Sequence, residues 1–247
     1  MNELKRQELK NKGIAINENM FNHHPTSLVV DEFTTFNLKL PTYFSRLLID
    51  RFESFSSPFY PVGKQGLSDI NELEGIGSYR KTVYDESLAQ HLTEILLPQL
   101  PPLVYTDKLS PVQTEIDNGK QLWSLECITP LFRYMKYEKG GGHNPHYDSS
   151  FVTNSCTRTL FSGVLYLTTN EVYTRLIEDG QMCIPFKDRN TADWSNPLPS
   201  GNLVYLAKKS IEDTCFIFPH GVCHDVSENT EGNTRIIIRF DIQGTKV

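Results

Sequence analysis

The chain has 247 residues, 38% hydrophobic and 22% charged, with a net charge of −6. That composition is ordinary for a globular protein able to bury one core, and its acidic balance offers no broad positive field for a phosphate backbone, so nucleic acid is not an expected partner. No run approaches the ~18 apolar residues that cross a bilayer, and the start, MNELKRQELKNKG, lacks an apolar signal core; no membrane partner and a cytoplasmic location are expected.

One domain is expected over 1–247, with supporting helices and strands in 1–105 and a β core in 121–244. SLVVDEF, Ser27 to Phe33, reads as a strand. From Pro41 to Phe55 the residues Phe44, Leu47, Leu48, Arg51 and Phe52 recur at helical spacing, with Pro41 suited to the first turn. A second helix is predicted from Glu86 to about Leu97: Asp85 can cap it, Leu88, Leu92, Ile95 and Leu96 form its apolar stripe, and Pro98, Pro101 and Pro102 stop it. From Gln121 onward, LWSLECI, LFRYMKY, TLFSGVLYL, NLVYLA, CFIF and RIIIRF are rich in aromatic and β-branched residues and are separated by Gly, Pro, Asn and Asp, the mark of antiparallel strands. The predicted fold is α+β with a mainly β core, a double-stranded β-helix (jelly roll) with supporting N-terminal helices. Thr168 to Ser200, polar and punctuated by proline, reads as a surface loop able to form a lid.

The chemistry concentrates in two places. In HNPHYD, His146 and Asp148 stand two apart, so on an extended strand one imidazole and one carboxylate converge on the same face. A third ligand from a distant strand would complete the two-histidine, one-carboxylate triad that holds Fe(II) and leaves positions open. His224 is the candidate, and His220, four residues earlier, is the alternative. In RIIIRFDI, Arg235, Ile237 and Arg239 share one strand face, and an inward-facing guanidinium matches a carboxylate with both prongs, as the far end of 2-oxoglutarate would require. Arg158, ten residues past Asp148, is either a substrate-carboxylate contact or an exposed strand arginine. Gly140, Gly141 and Gly142 read as a tight turn rather than a phosphate cradle. The five cysteines are odd in number and show no CxxC spacing, so neither a zinc cluster nor a disulfide scaffold is expected, and Cys223 should point away from its neighbour His224.

RYMKYEKG (Arg133 to Gly140), HYD (His146 to Asp148), GVLYL (Gly163 to Leu167), FPHGVCHDV (Phe218 to Val226) and GNTRIIIRFD (Gly232 to Asp241) stand in an order that resembles the Fe(II)/2-oxoglutarate-dependent dioxygenases, in their prolyl 4-hydroxylase-like branch. The likeness covers about half the chain. It implies an enzyme in which His146, Asp148 and His224 bind iron, Arg235 pairs with the C5 carboxylate of 2-oxoglutarate, and dioxygen is the second cosubstrate. Tyr137, the tyrosine of the YxxG segment, and Arg239 are further cosubstrate contacts by the same likeness, although Tyr137 also suits core packing and Arg239 could instead pair with Asp241. His143 falls where relatives carry a pocket aromatic, and it would also suit an exposed loop. Because a carboxylate is kept at Asp148, the resemblance implies hydroxylation of an unactivated C–H bond, with succinate and carbon dioxide released, rather than halogenation; desaturation, ring closure and demethylation use the same ligands and stay open. The expected substrate is a small molecule such as an amino acid or other metabolite. The alternatives are a peptidyl-prolyl 4-hydroxylase acting on protein or peptide, and a noncatalytic jelly-roll protein that binds metal or ligand. Oligomeric state is unknown from sequence. Relatives carry Gly-Gly before the threonine after the LYL strand; here Glu171, Val172 and Tyr173 precede Thr174, which implies a different path.

Overall fold

The structure, a computed structural model, describes residues 27–30, 34–62, 77–106, 121–177 and 204–247. The N-terminal part contributes β1 (Ser27–Val29), β2 (Phe36–Lys39), helix α1 (Phe44–Ser54), β3 (Tyr60–Pro61), β4 (Ser78–Tyr84), helix α2 (Glu86–Leu96) and β5 (Leu103–Thr106). The aromatic and β-branched runs that follow form β6 (Gln121–Ile128), β7 (Leu131–Tyr137), β8 (His143–His146), β9 (Val152–Asn154), β10 (Thr157–Tyr166), β11 (Asn170–Ile177), β12 (Val204–Ser210), β13 (Thr214–Pro219), β14 (His224–Val226) and β15 (Arg235–Lys246).

Strand pairing defines the architecture. One sheet of the core runs β7, β15, β10, β13, and the facing sheet runs β8, β14, β11, β12. The core strands β7, β8, β10 and β11 alternate one by one between the two sheets, and β12, β13, β14 and β15 alternate back, which is the wound topology of a jelly roll. N-terminal strands extend the first sheet: β4 pairs with β7, β2 with β13, and β6 with the C-terminal half of β15.

Alternation along β15 separates two cores. Ile238, Phe240 and Ile242 turn outward and pack with Phe44, Leu48 and Phe52 of α1 and Leu88, Leu92 and Leu96 of α2, so the helices seal the outer face of the large sheet. Ile237 turns inward, between the sheets, with Met135, Tyr137, Val164, Tyr166, Val172, Leu176, Phe216 and Phe218. At Gly163 the sheet accepts no larger side chain, because an added Cβ would lie 2.1 Å from the Phe240 ring.

The helices differ from expectation at their ends. α1 begins at Phe44, not at Pro41, because Tyr43 takes a left-handed conformation (φ 69°) and Asp213 caps the helix from outside, accepting from the amides of Tyr43 (3.1 Å) and Ser45 (2.8 Å). Leu47, counted in the apolar stripe, is 65% exposed. α2 is capped as expected, with Leu88 N–H donating to Asp85 at 3.0 Å, and Asp85 is also gripped by both prongs of Arg51 at 2.7 and 2.8 Å. Hydrogen bonding by Arg51 is the largest influence on Asp85 and holds its pKa below the ordinary 3.8. Asp85 therefore stabilises the fold fully above about pH 4, and this contribution is lost as the pH falls through its folded pKa. Asp85→Ala is expected to cost about 0.5–2 kcal/mol at pH 7, and denaturant titrations of the two proteins should converge on acidification.

The polar segment after Thr168 is not a loop over its first part. It forms β11, central in the small sheet, with Val172, Thr174 and Leu176 buried and Glu171, Tyr173 and Arg175 on the other face. Its polarity belongs to that outer face, where Glu171 pairs with Lys209, and Arg175 with Asp225 at 2.6 Å. Residues 178–200 of the expected lid lie outside the described residues, as do Asp31 to Phe33 of the first predicted strand. The glycine triplet does form the turn after β7: Gly140 has φ 85°, and a Cβ on Gly141 would lie 2.4 Å from the Gly77 carbonyl oxygen.

Candidate metal and diacid site

The adjacent strands β8 and β14 hold His146 directly opposite His224 in register. Just beyond β8, Asp148 turns to the same point, and one ligand atom from each of the three residues lies within 4.8 Å of the others. Asp148 Oδ2 is 3.5 Å from His224 Nε2, Asp148 Oδ1 is 3.9 Å from His146 Nε2, and the imidazole centroids are 4.3 Å apart. In each ring Nδ1 faces a backbone carbonyl, Asn144 O at 2.8 Å for His146 and Val222 O at 3.1 Å for His224. Donation to those carbonyls places the proton on Nδ1 and leaves the Nε2 lone pair aimed at the centre, the outer-shell arrangement typical of ligating histidines.

Electrostatics favour the same donor set. Burial lowers the His224 pKa, keeping the ring neutral at neutral pH. Burial alone would raise that of Asp148, but the neighbouring His224, His146 and His220 and the Ser162 hydroxyl outweigh it and hold the carboxyl well below the usual range. Two neutral imidazoles and one carboxylate are the donors that suit a divalent iron.

His220 stands elsewhere. It is fully buried, with Nε2 3.3 Å from Asp241 Oδ1. Burial works to lower its pKa, yet hydrogen bonding and attraction to Asp241 leave it raised. Asp241 also holds Arg239, whose Nη2 is 2.7 Å from Asp241, 3.1 Å from Asp148 and 3.2 Å from Ser162. Of the two roles open to Arg239, the geometry provides the pairing with Asp241, together with a grip on Asp148 itself.

Arg235 lies 0% exposed between the sheets, directly opposite Tyr137 in register. Its guanidinium carbon is 5.1 Å from the Tyr137 ring and 5.4 Å from the Tyr166 ring. Nη2 donates to Thr174 Oγ1 at 2.8 Å, and Tyr166 supports that same hydroxyl at 3.0 Å. Among the described residues Nε and Nη1 have no hydrogen-bond partner and no carboxylate pairs with the cation. Burial lowers its pKa and likewise pushes the Tyr137 and Tyr166 hydroxyls up to about 12. A buried, unpaired guanidinium costs stability, so two open N–H groups at this depth fit an incoming carboxylate.

A cavity of about 220 Å³ is lined by His146, Asp148 and His224 and also by Tyr137 and Thr174, the two residues that contact Arg235. His143 is not an exposed loop histidine: it lines this cavity with its ring 4.0 Å from that of His146. Arg158 is remote from it, buried on β10 with its guanidinium carbon 5.5 Å from the Trp123 ring centroid. Cys223 packs away from the centre with Tyr147 and Ile177 and is disulfide-bonded, whereas Cys127, Cys156 and Cys215 are free thiols. Sequence reasoning missed Thr174, inside the segment taken for a loop, and Ser162, in a strand read only for its apolar residues.

Fold and site together define a jelly-roll protein with a two-histidine, one-carboxylate cluster and, buried between the same sheets, an arginine. No family model matches the sequence, and no curated protein matches it. Among solved structures it is similar to a prolyl-4-hydroxylase from Pseudomonas putida, at 15% identity and TM-score 0.47 over 84% of this chain and 91% of that one. It is also similar to HygX from Streptomyces hygroscopicus, solved with nickel, 2-oxoglutarate and hygromycin B bound, at 9% identity and TM-score 0.48 over 93% and 87%. A third is a Trichoplax adhaerens prolyl hydroxylase in complex with a hypoxia inducible factor peptide, at 13% identity and TM-score 0.43 over 98% and 93%. The architecture rests on the strand order of this chain itself.

Proposed function

We propose that the protein is an Fe(II)- and 2-oxoglutarate-dependent dioxygenase that hydroxylates an unactivated C–H bond of a small molecule, releasing succinate and carbon dioxide. The observation that carries this reading is a cation-ready His146, Asp148, His224 cluster on a cavity also lined by Tyr137 and Thr174, the residues that contact a buried Arg235 whose Nε–H and Nη1–H find no partner among the described residues. When bound, the metal and the 2-oxo acid supply the activation of dioxygen. The chain supplies position. Arg235, fixed by Thr174, takes the C5 carboxylate, and the Tyr137 hydroxyl, kept protonated by burial, offers a donor beside it. Arg239, itself steadied by Asp241, holds the Asp148 carboxylate directly, so that a carboxylate lone pair would stay aimed at the metal. Val164, Phe218 and Ile237 line the same cavity and keep water from the reacting C–H bond. A cavity of about 220 Å³ that must also hold the diacid suits a small substrate or a single side chain.

The test is succinate release from 2-oxoglutarate under Fe(II) and air, screened against metabolites and against proline-containing peptides. Stimulation by a metabolite is the expected result. Stimulation by peptides alone would shift the substrate class to protein, and binding of both cosubstrates without succinate under every substrate would leave a noncatalytic binding protein.

A further inference from the structure

The cavity carries a second cationic feature that neither the metal cluster nor Arg235 accounts for. Arg80 lines it from β4, the strand beyond β7 as seen from the jelly-roll core. Residues opposite each other in register share a sheet face. Arg80 stands opposite Met135, and Met135 opposite Ile237, so Arg80 continues the cavity floor outward from the buried centre. It makes no hydrogen bond or ion pair with any described residue. The charged group that acts on it most is another cation, Arg133, which also lines the cavity and whose nearest acid is Asp241 at 3.4 Å. Two guanidiniums that repel each other on the lining of a cavity, one of them without a partner among the described residues, suit an anion. Arg235 is fully buried and stands opposite Tyr137, two positions along β7 from the Met135 that faces Arg80, so the two guanidiniums occupy different positions of the sheet.

Resting on the functional reading above, we propose that the oxidised substrate carries a carboxylate and that Arg80, assisted by Arg133, binds it and so orients the C–H bond toward the metal. Arg80 is thus a specificity residue for an acid such as a free amino acid or related metabolite. A neutral sugar, an amine or an internal peptide segment would leave the pair unsatisfied.

The experiment uses the full chain loaded with Mn(II), which withholds turnover, and saturated with 2-oxoglutarate so that Arg235 is occupied. Propionate and glycine are titrated against propionamide and glycinamide, with binding followed by ligand-observed NMR. The carboxylates are expected to bind at least about tenfold more tightly than the amides. Arg80→Gln should erase that preference while changing 2-oxoglutarate affinity by less than about twofold, and Arg80→Lys should keep part of it. Equal binding of acids and amides by the wild type, or an undiminished preference in Arg80→Gln, overturns the proposal. Failure of 2-oxoglutarate to bind at all would instead strike the functional reading, and the difference between wild type and Arg80→Gln in the same titration on the unloaded protein would still report whether Arg80 selects carboxylates.

Discussion

Arg235→Met is expected to weaken 2-oxoglutarate binding on the order of a hundredfold or more while leaving metal affinity nearly intact, and to raise the stability of the ligand-free protein. The two effects share one cause. Arg235 is fully buried, and among the described residues its side chain has one hydrogen bond, to Thr174, and no carboxylate partner. Removing one partner of a buried charge-assisted contact costs about 2–5 kcal/mol of binding, whereas an unpaired cation in the interior is a liability for the empty fold, and a flexible thioether of similar reach fills the same space. The expected gain in ligand-free stability is about 1 kcal/mol or more. A structural arginine behaves in the opposite way, losing stability on replacement. Thermal melts with and without 2-oxoglutarate, together with a binding titration, distinguish the two. Arg235→Lys should recover little affinity, since a point charge cannot reproduce the fork.

The second large effect concerns the choice of histidine. His224→Ala and Asp148→Ala are each expected to abolish stoichiometric metal binding, because each removes one of the three donors that the described residues bring together. His220→Ala should retain one metal per chain with affinity reduced by about 10–100-fold, the usual consequence of losing a supporting group. His220 faces Asp241, which steadies Arg239, which in turn grips Asp148. Metal content after dialysis, measured for the three variants, reads this order directly. Equal losses in His224→Ala and His220→Ala would mean that the His220 to Asp241 contact is as necessary as a ligand.

The strands of the core were legible because aromatic and β-branched runs alternate between two cores, as Ile237 and Ile238 do on successive positions of β15. The convergence of His146 and Asp148 was legible for a related reason: a two-residue spacing fixes a common face, and only the third residue, His224, needed topology, which its register opposite His146 supplies. β11 was hidden because its polarity lies on the outer face, where Arg175 and Glu171 meet partners on neighbouring strands that are distant in sequence. The start of α1 was misplaced because its cap, Asp213, is 168 residues from Ser45. Arg80 gave no signal at all. Within SYRKTVY it resembles any solvated strand arginine, and only the pairing of β4 with β7 carries it to the cavity.

The most direct test is an anaerobic titration of Fe(II) into the protein saturated with 2-oxoglutarate, followed in the visible region. A weak charge-transfer band of a chelated 2-oxo acid should grow and saturate at one Fe(II) per chain, survive in His220→Ala and vanish in His224→Ala. A protein that develops no such band, or one that keeps it in His224→Ala and loses it in His220→Ala, contradicts the assignment of His146, Asp148 and His224 as the metal centre.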